Sequence, residues 1–96
     1  MKDKVTYWVE MSDYDFDTAK AMLETKRYLY VGFMCHQVVE KILKAYWSKV
    51  LEEPPLKIHH LSRLAAKSGL IDFLTEEQLD FIDLLEPLNI EALSVI

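Results

Sequence analysis

Cysteine, glycine and proline occur only one, two and three times in this chain of 96 residues, and each shortage excludes something. A single cysteine, Cys35, cannot close an internal disulfide, so no disulfide framework holds the fold. With glycine only at Gly32 and Gly69, there is no Gly-rich loop to cradle a phosphate. No segment alternates polar and apolar residues as a strand would, and no apolar run reaches the roughly 18–20 residues of a membrane span. Met1-Lys2-Asp3-Lys4 leads into mixed polar sequence and not into the apolar stretch of a secretory signal, so a cytoplasmic location is expected. Cations are also in short supply. Eleven Lys and Arg face 16 Asp and Glu, giving a formal net charge of −5. That argues against broad, nonspecific nucleic-acid binding while leaving room for a small basic site.

What remains is helix-forming sequence. Hydrophobic residues make up 51% and charged residues 28% of the chain, the balance of an ordered globular protein. The expectation is an all-α fold with one domain over residues 1–96. A domain of this size buries roughly 60–70% of its unfolded surface, so self-association would add useful stability.

The chain is organised around Tyr28–Lys49, which is free of proline and carries its one glycine near the start. It reads as one continuous helix. Val31, Cys35, Val38, Ile42 and Ala45 recur at three- and four-residue steps and are expected to form the core stripe, with Cys35 a buried, reduced thiol. Tyr28, Val39, Leu43, Tyr46 and Val50 widen that stripe. Gln37, Lys41, Lys44 and Ser48 trace a narrow polar strip, with His36 and Glu40 beside it. A helix so apolar all round belongs at the centre of a bundle or against a partner subunit. Tyr30, Phe33 and Trp47 cannot all share the side of Val31 and Val38. Some of them therefore point to a subunit contact, and a homodimer built on this helix is expected.

Around it, a first helix spans about Val5 to Arg27, with Trp8, Met11 or Ser12, Asp15, Ala19, Met22 and Leu23 facing inward. A reversal near Thr25–Tyr28 follows, which neither glycine nor proline enforces. Glu52-Glu53-Pro54-Pro55 ends the central helix, because adjacent prolines remove donors and push their predecessors out of helical geometry. Leu56–His59 reads as a loop. A short helix from about His60 to Ser68 is closed by Gly69. Thr75-Glu76-Glu77-Gln78 fits a capping box that starts the last helix, with Leu79, Ile82 and Leu85 inward, Phe81 a further candidate, and Pro87 bending or ending it.

Among candidate sites, the strip of His36, Gln37, Glu40, Lys41 and Lys44 comes first. Its lysines could offer donors to a phosphate or an acidic partner. The plainer reading is a Glu40–Lys44 pair on a solvated face, or a polar network at a dimer seam. His60 reads as a helix cap, and Lys57, His60 and Arg63 could together surround an anion at that helix start. His59 and His60 lack further ligands at metal-binding spacing, and no metal site is expected. Cys35 and His36 make no nucleophile–base pair, since neighbours on a helix point about 100° apart.

Trp8, then Asp15-Phe16-x-x-Ala19, then Tyr28 and Phe33, then Gln37-x-x-Glu40-Lys41-x-x-Lys44-Ala45, then His60-Leu61-x-x-Leu64 together resemble the HEPN domain family over roughly residues 7–90. The resemblance implies an up-and-down bundle of four or five helices, usually homodimeric. Many such proteins are paired with a minimal nucleotidyltransferase in toxin–antitoxin-like modules, and nucleotide binding has been proposed for relatives. Some are metal-independent ribonucleases carrying an arginine followed four to six residues later by a histidine. Here Arg27 precedes His36 with eight residues between, and no histidine follows Arg63. A related subgroup ends in a Glu-Ala-Arg-Tyr-Pro-like segment, where this chain has Glu91-Ala92-Leu93-Ser94-Val95-Ile96. Its end reads as truncated or divergent. The expectation is a non-catalytic HEPN-like binding or regulatory module. Its partner would be a minimal nucleotidyltransferase, or a nucleotide bound near the polar strip. The alternative is an RNA-cleaving toxin using an atypical set such as His36, His60, Arg63 and Lys44.

Overall fold

A computed structural model describes residues 3–89, and among these every regular element is helical. Helix α1 spans Lys4–Glu24, α2 Tyr28–Val50, α3 Leu61–Ser68 and α4 Glu76–Leu85, with 3-10 turns at Leu70–Phe73 and Glu86–Leu88. This is the all-α, four-helix arrangement expected. The segment after Asn89, including Glu91–Ile96, lies outside the described residues.

Local chemistry accounts for the boundaries. Asp3 caps α1 by accepting the Thr6 backbone N–H at 2.8 Å, which satisfies one orphan donor of the first turn. The α1–α2 reversal, unsignalled by glycine, is a helix-ending motif built on a lysine. Lys26 takes φ +62°, while its N–H donates to Leu23 O and the Arg27 N–H donates to Met22 O at 2.8 Å. Those are the paired bonds of a Schellman close, with Lys26 in the left-handed position that glycine occupies most easily. At the other end of α2 the chain turns out at Leu51, just before Pro54 and Pro55. The Trp47 indole N–H then donates to Glu53 O at 3.0 Å and pins the outgoing loop. Gly69 closes α3 at φ +85°. Thr75 and Gln78 form the full capping box of α4, with Gln78 N–H to Thr75 Oγ1 at 3.1 Å and Thr75 N–H to Gln78 Oε1 at 2.9 Å.

The apolar core lies between α2, α3 and α4. Leu43, Trp47, Leu61, Leu64, Ala65, Ile82 and Leu85 are buried together, with Cys35 and Val39 half-buried against them. Gly32 lets the 3-10 turn after α4 lie close on α2, since a Cβ there would stand 3.2 Å from Leu88 Cδ1. Helix α1 covers the other side of α2, and its buried positions are Ser12, Asp15 and Ala19.

The sequence-based orientation of α2 needs correction. Of Val31, Cys35, Val38, Ile42 and Ala45, only Ala45 is buried, and Ile42 is 43% exposed. The enclosed positions are instead His36, Glu40, Leu43, Lys44, Ala45 and Trp47. Because α2 is apolar nearly all round, apolar spacing does not fix its rotation, and the charged residues can turn inward once partners neutralise them. Leu23 of α1, expected inward, is 54% exposed.

Candidate functional site

The polar strip of α2 is enclosed within a single chain, where α1 and the loop before α3 cover it. Glu40 sits at its centre, 2% exposed. One of its oxygens accepts from Lys44 Nζ at 3.1 Å, and the other stands 2.9 Å from His59 Nδ1. A carboxylate only accepts, so His59 presents its protonated Nδ1 to it. Burial alone would raise the Glu40 carboxyl, but the hydrogen bonds and charges of His59 and Lys44 outweigh that. They hold it below the usual glutamate range. Lys44, 8% exposed, also lies over the Trp8 ring at 5.5 Å from its centroid, a cation–π contact that ties α1 to the same cluster.

His36, one turn before Glu40, is fully buried. Its Nδ1 is 3.8 Å from Glu40 Oε1, and neither ring nitrogen has a hydrogen-bond partner. Burial lowers its pKa, and the nearby negative charges of Glu40 and Glu86 only partly oppose this. The enclosed ring is therefore neutral near pH 7.

A second group lies further round α2. Lys41 Nζ donates to Gln37 Oε1 at 2.8 Å and to Asp15 Oδ2 at 3.3 Å, and the Lys41 and Asp15 side chains are 13% and 12% exposed. Ser12 Oγ donates to Val38 O at 3.0 Å beside them. The buried polar positions of α1 are thus explained by what they meet on α2.

At the start of α3, Glu86 reaches across from the end of α4. Its Oε1 accepts the Leu61 N–H at 2.8 Å and its Oε2 the Ser62 N–H at 3.2 Å. The anion expected at this helix start is thus the protein's own carboxylate. His60 Nδ1 lies 3.2 Å from the Arg63 N–H and 3.1 Å from Glu86 Oε2. As acceptor of the Arg63 N–H it caps the helix. Arg63 itself points outward and is exposed.

The structure therefore brings His36, Glu40 and Lys44 into one enclosed cluster, and Gln37 and Lys41 into a neighbouring one. His60 and Arg63 sit at the surface start of α3. Sequence reasoning missed three participants: His59, Asp15 and Glu86. Spacing puts Asp15 on the core-facing side of α1 but does not point to Lys41 as its partner. No local pattern marks Glu86, which works across 25 positions of chain. Among the described residues, no three His, Cys, Asp or Glu side chains are arranged to hold a metal ion, and no helix is long and apolar enough to cross a membrane.

The model of the HEPN domain matches residues 5–93. The chain belongs to the HEPN family. That match covers nearly the whole sequence, and the all-helical architecture agrees with it. No curated protein and no solved structure matches the chain.

Proposed function

We propose that this HEPN-family chain is a non-catalytic binding and regulatory module whose partner is a minimal nucleotidyltransferase, in a toxin–antitoxin-like pair. The observation that carries this reading is the enclosure of His36. A general acid or base must come within hydrogen-bond reach of the proton it moves, directly or through one water, and a fully buried ring at the centre of the bundle offers no approach to an RNA 2′-hydroxyl. The two lysines of the strip are committed as well, Lys44 to Glu40 and Lys41 to Asp15. A nucleotide phosphate there would have to displace a carboxylate from each.

The surface supports association with protein. Ile42 of α2 is 43% exposed and Phe81 of α4 is 51% exposed, and both line an apolar groove of about 440 Å³ together with Val39 and Leu74. Tyr30, near the start of α2, is 39% exposed. Side chains of this kind are enriched in protein interfaces, and a homodimer formed on this side of α2 is part of the proposal.

Co-expression with a minimal nucleotidyltransferase from the same genome tests it, with a tag on one protein only. The expected result is co-purification that Ile42→Asp weakens, and light scattering of the HEPN protein alone should report a dimer. Failure to recover any complex would count against the partner, and a monomer at micromolar concentration against the dimer. The alternative, an RNA-cleaving toxin using His36, His60, Arg63 and Lys44, would need two enclosed and two surface residues to act together.

A further inference from the structure

The negative charge of this protein is gathered towards one end of its chain. All 11 lysines and arginines and all 3 histidines precede Ser68, where they are interleaved with carboxylates. Beyond Ser68 the described residues carry carboxylates alone: Asp72, Glu76, Glu77, Asp80, Asp83 and Glu86. Glu86 is engaged at the start of α3. The others are exposed on the 3-10 turn after α3 and on α4. Among the described residues none of them forms an ion pair, whereas Asp15, Asp17 and Glu40 each meet a lysine.

This acidic ridge edges the apolar groove between α2 and α4. Val39 and Ile42 form one wall and Leu74, Phe81 and Ile82 the other, with Glu77 on the rim. Asp80 stands about one turn from both Glu77 and Leu84, and Leu84 is 67% exposed. Along α2, Val39, Ile42 and Tyr46 succeed one another at three- and four-residue steps, and none of them is buried. An uncovered apolar stripe beside unpaired carboxylates matches a helix that carries apolar anchors at the same spacing and cations beside them. Other occupants carry the wrong sign. A phosphate backbone and an anionic lipid surface are both repelled. A second copy meeting the groove with its own α4 would set carboxylate against carboxylate, while the exposed Tyr28 and Tyr30 at the start of α2 remain for self-association.

We propose that the α2–α4 groove docks a cationic amphipathic helix of the protein partner. This rests on the reading above, that the partner is a protein, and adds the chemistry of the segment it inserts. The apolar anchors of that helix cover Ile42 and Phe81, and its lysines or arginines lie over Glu77 and Asp80.

Fluorescence anisotropy on the full chain tests this with a labelled peptide of about 18 residues, long enough to form a helix. Leucines at positions i, i+3, i+4 and i+7 make its apolar face, and lysines flank them. The expected result is saturable binding that weakens as salt rises. The same peptide with glutamate in place of lysine should not bind. Glu77→Gln combined with Asp80→Lys should weaken binding of the lysine peptide about tenfold, and Phe81→Ser should do the same. The new lysine follows Glu76 by four residues, a favourable helical pair, so the fold should be kept. Asp13→Lys combined with Glu52→Gln changes the net charge equally on other surfaces and should leave binding unchanged. In the co-expression experiment the α4 variant should weaken capture of the partner, as Ile42→Asp does. No saturable binding, equal binding of the glutamate peptide, or an equal loss in the Asp13 and Glu52 variant would overturn the proposal. A partner captured at the wild-type level by the α4 variant would overturn it too, while leaving the protein-partner reading intact. If no partner is captured, the peptide series still decides the docking chemistry. Loss of the dimer in Phe81→Ser without peptide binding would make a second copy the occupant instead.

Discussion

Replacing Lys44 with methionine isolates what the enclosed ion pair contributes. Methionine keeps most of the hydrocarbon stem and removes the ammonium that lies 3.1 Å from Glu40 Oε2 and 5.5 Å from the Trp8 ring centroid. The Glu40 side chain is 3% exposed, so water cannot replace the lost partner. Breaking such a buried pair from one side costs about 3–5 kcal/mol. His59, still 2.9 Å from the other carboxylate oxygen, brings the expected loss for Lys44→Met to the lower end, about 3 kcal/mol. In a domain of this size each kcal/mol moves the melting midpoint by roughly 4–8 °C, so the loss should exceed 10 °C. Glu40→Gln should cost about 2–3 kcal/mol, since it strands the lysine instead. The double variant should lose about 2 kcal/mol less than the two single losses added together, because no uncompensated charge remains. Urea unfolding at pH 7, followed by far-ultraviolet circular dichroism, measures all four proteins. A Lys44→Met protein within about 0.5 kcal/mol of wild type, or strict additivity in the cycle, would refute the reasoning.

Acid should weaken the fold in two stages. His36 has its pKa lowered by burial from 6.5, so the unfolded chain binds its proton first. The stability His36 gives is complete above about pH 6.5 and falls as pH drops towards its folded value. Glu40 is also lowered, from 4.5, and its share is lost only below that pH. His36→Gln should flatten the first stage in a stability-against-pH series and leave the second. Glu86→Ala should cost about 1–2 kcal/mol by leaving the Leu61 and Ser62 N–H groups without their acceptor, measurable by urea unfolding, with faster amide exchange confined to the first turn of α3. The two left-handed residues should respond in opposite directions. Lys26→Gly should stabilise by up to about 1 kcal/mol, whereas Gly69→Ala should destabilise by about 1 kcal/mol although the space for a Cβ is open, as thermal melts would report.

The punctuation of the fold was legible in the residues. Pro54 and Pro55, Gly69, and the Thr75–Gln78 box each act through their own backbone and need no distant partner, and the structure places them as read. The rotation of α2 was not legible. Its apolar residues surround the helix, so their spacing fits several phases. The phase adopted is set by charges meeting partners far along the chain: Lys41 with Asp15, Glu40 with His59, Lys44 with the Trp8 ring. Asp15 is 26 positions from Lys41 and His59 is 19 from Glu40. The turn at Lys26 falls within the expected reversal near Thr25–Tyr28, but its geometry was not legible, for a different reason. Lysine carries no signal for the left-handed region, and only the two closing hydrogen bonds hold it there. Within the candidate strip, His36, Gln37, Glu40, Lys41 and Lys44 were picked out together by spacing, but spacing alone could not tell a wet surface from an enclosed network.

The central proposal is that enclosure of His36 beside the buried Glu40–Lys44 pair leaves this HEPN-family chain without ribonuclease chemistry. Incubating the purified wild-type protein with structured and single-stranded RNA, beside a His60→Ala control, tests that claim most directly. The account predicts no cleavage above buffer for either protein. Cleavage by the wild type that disappears in His60→Ala would contradict it and make the surface start of α3 an active site.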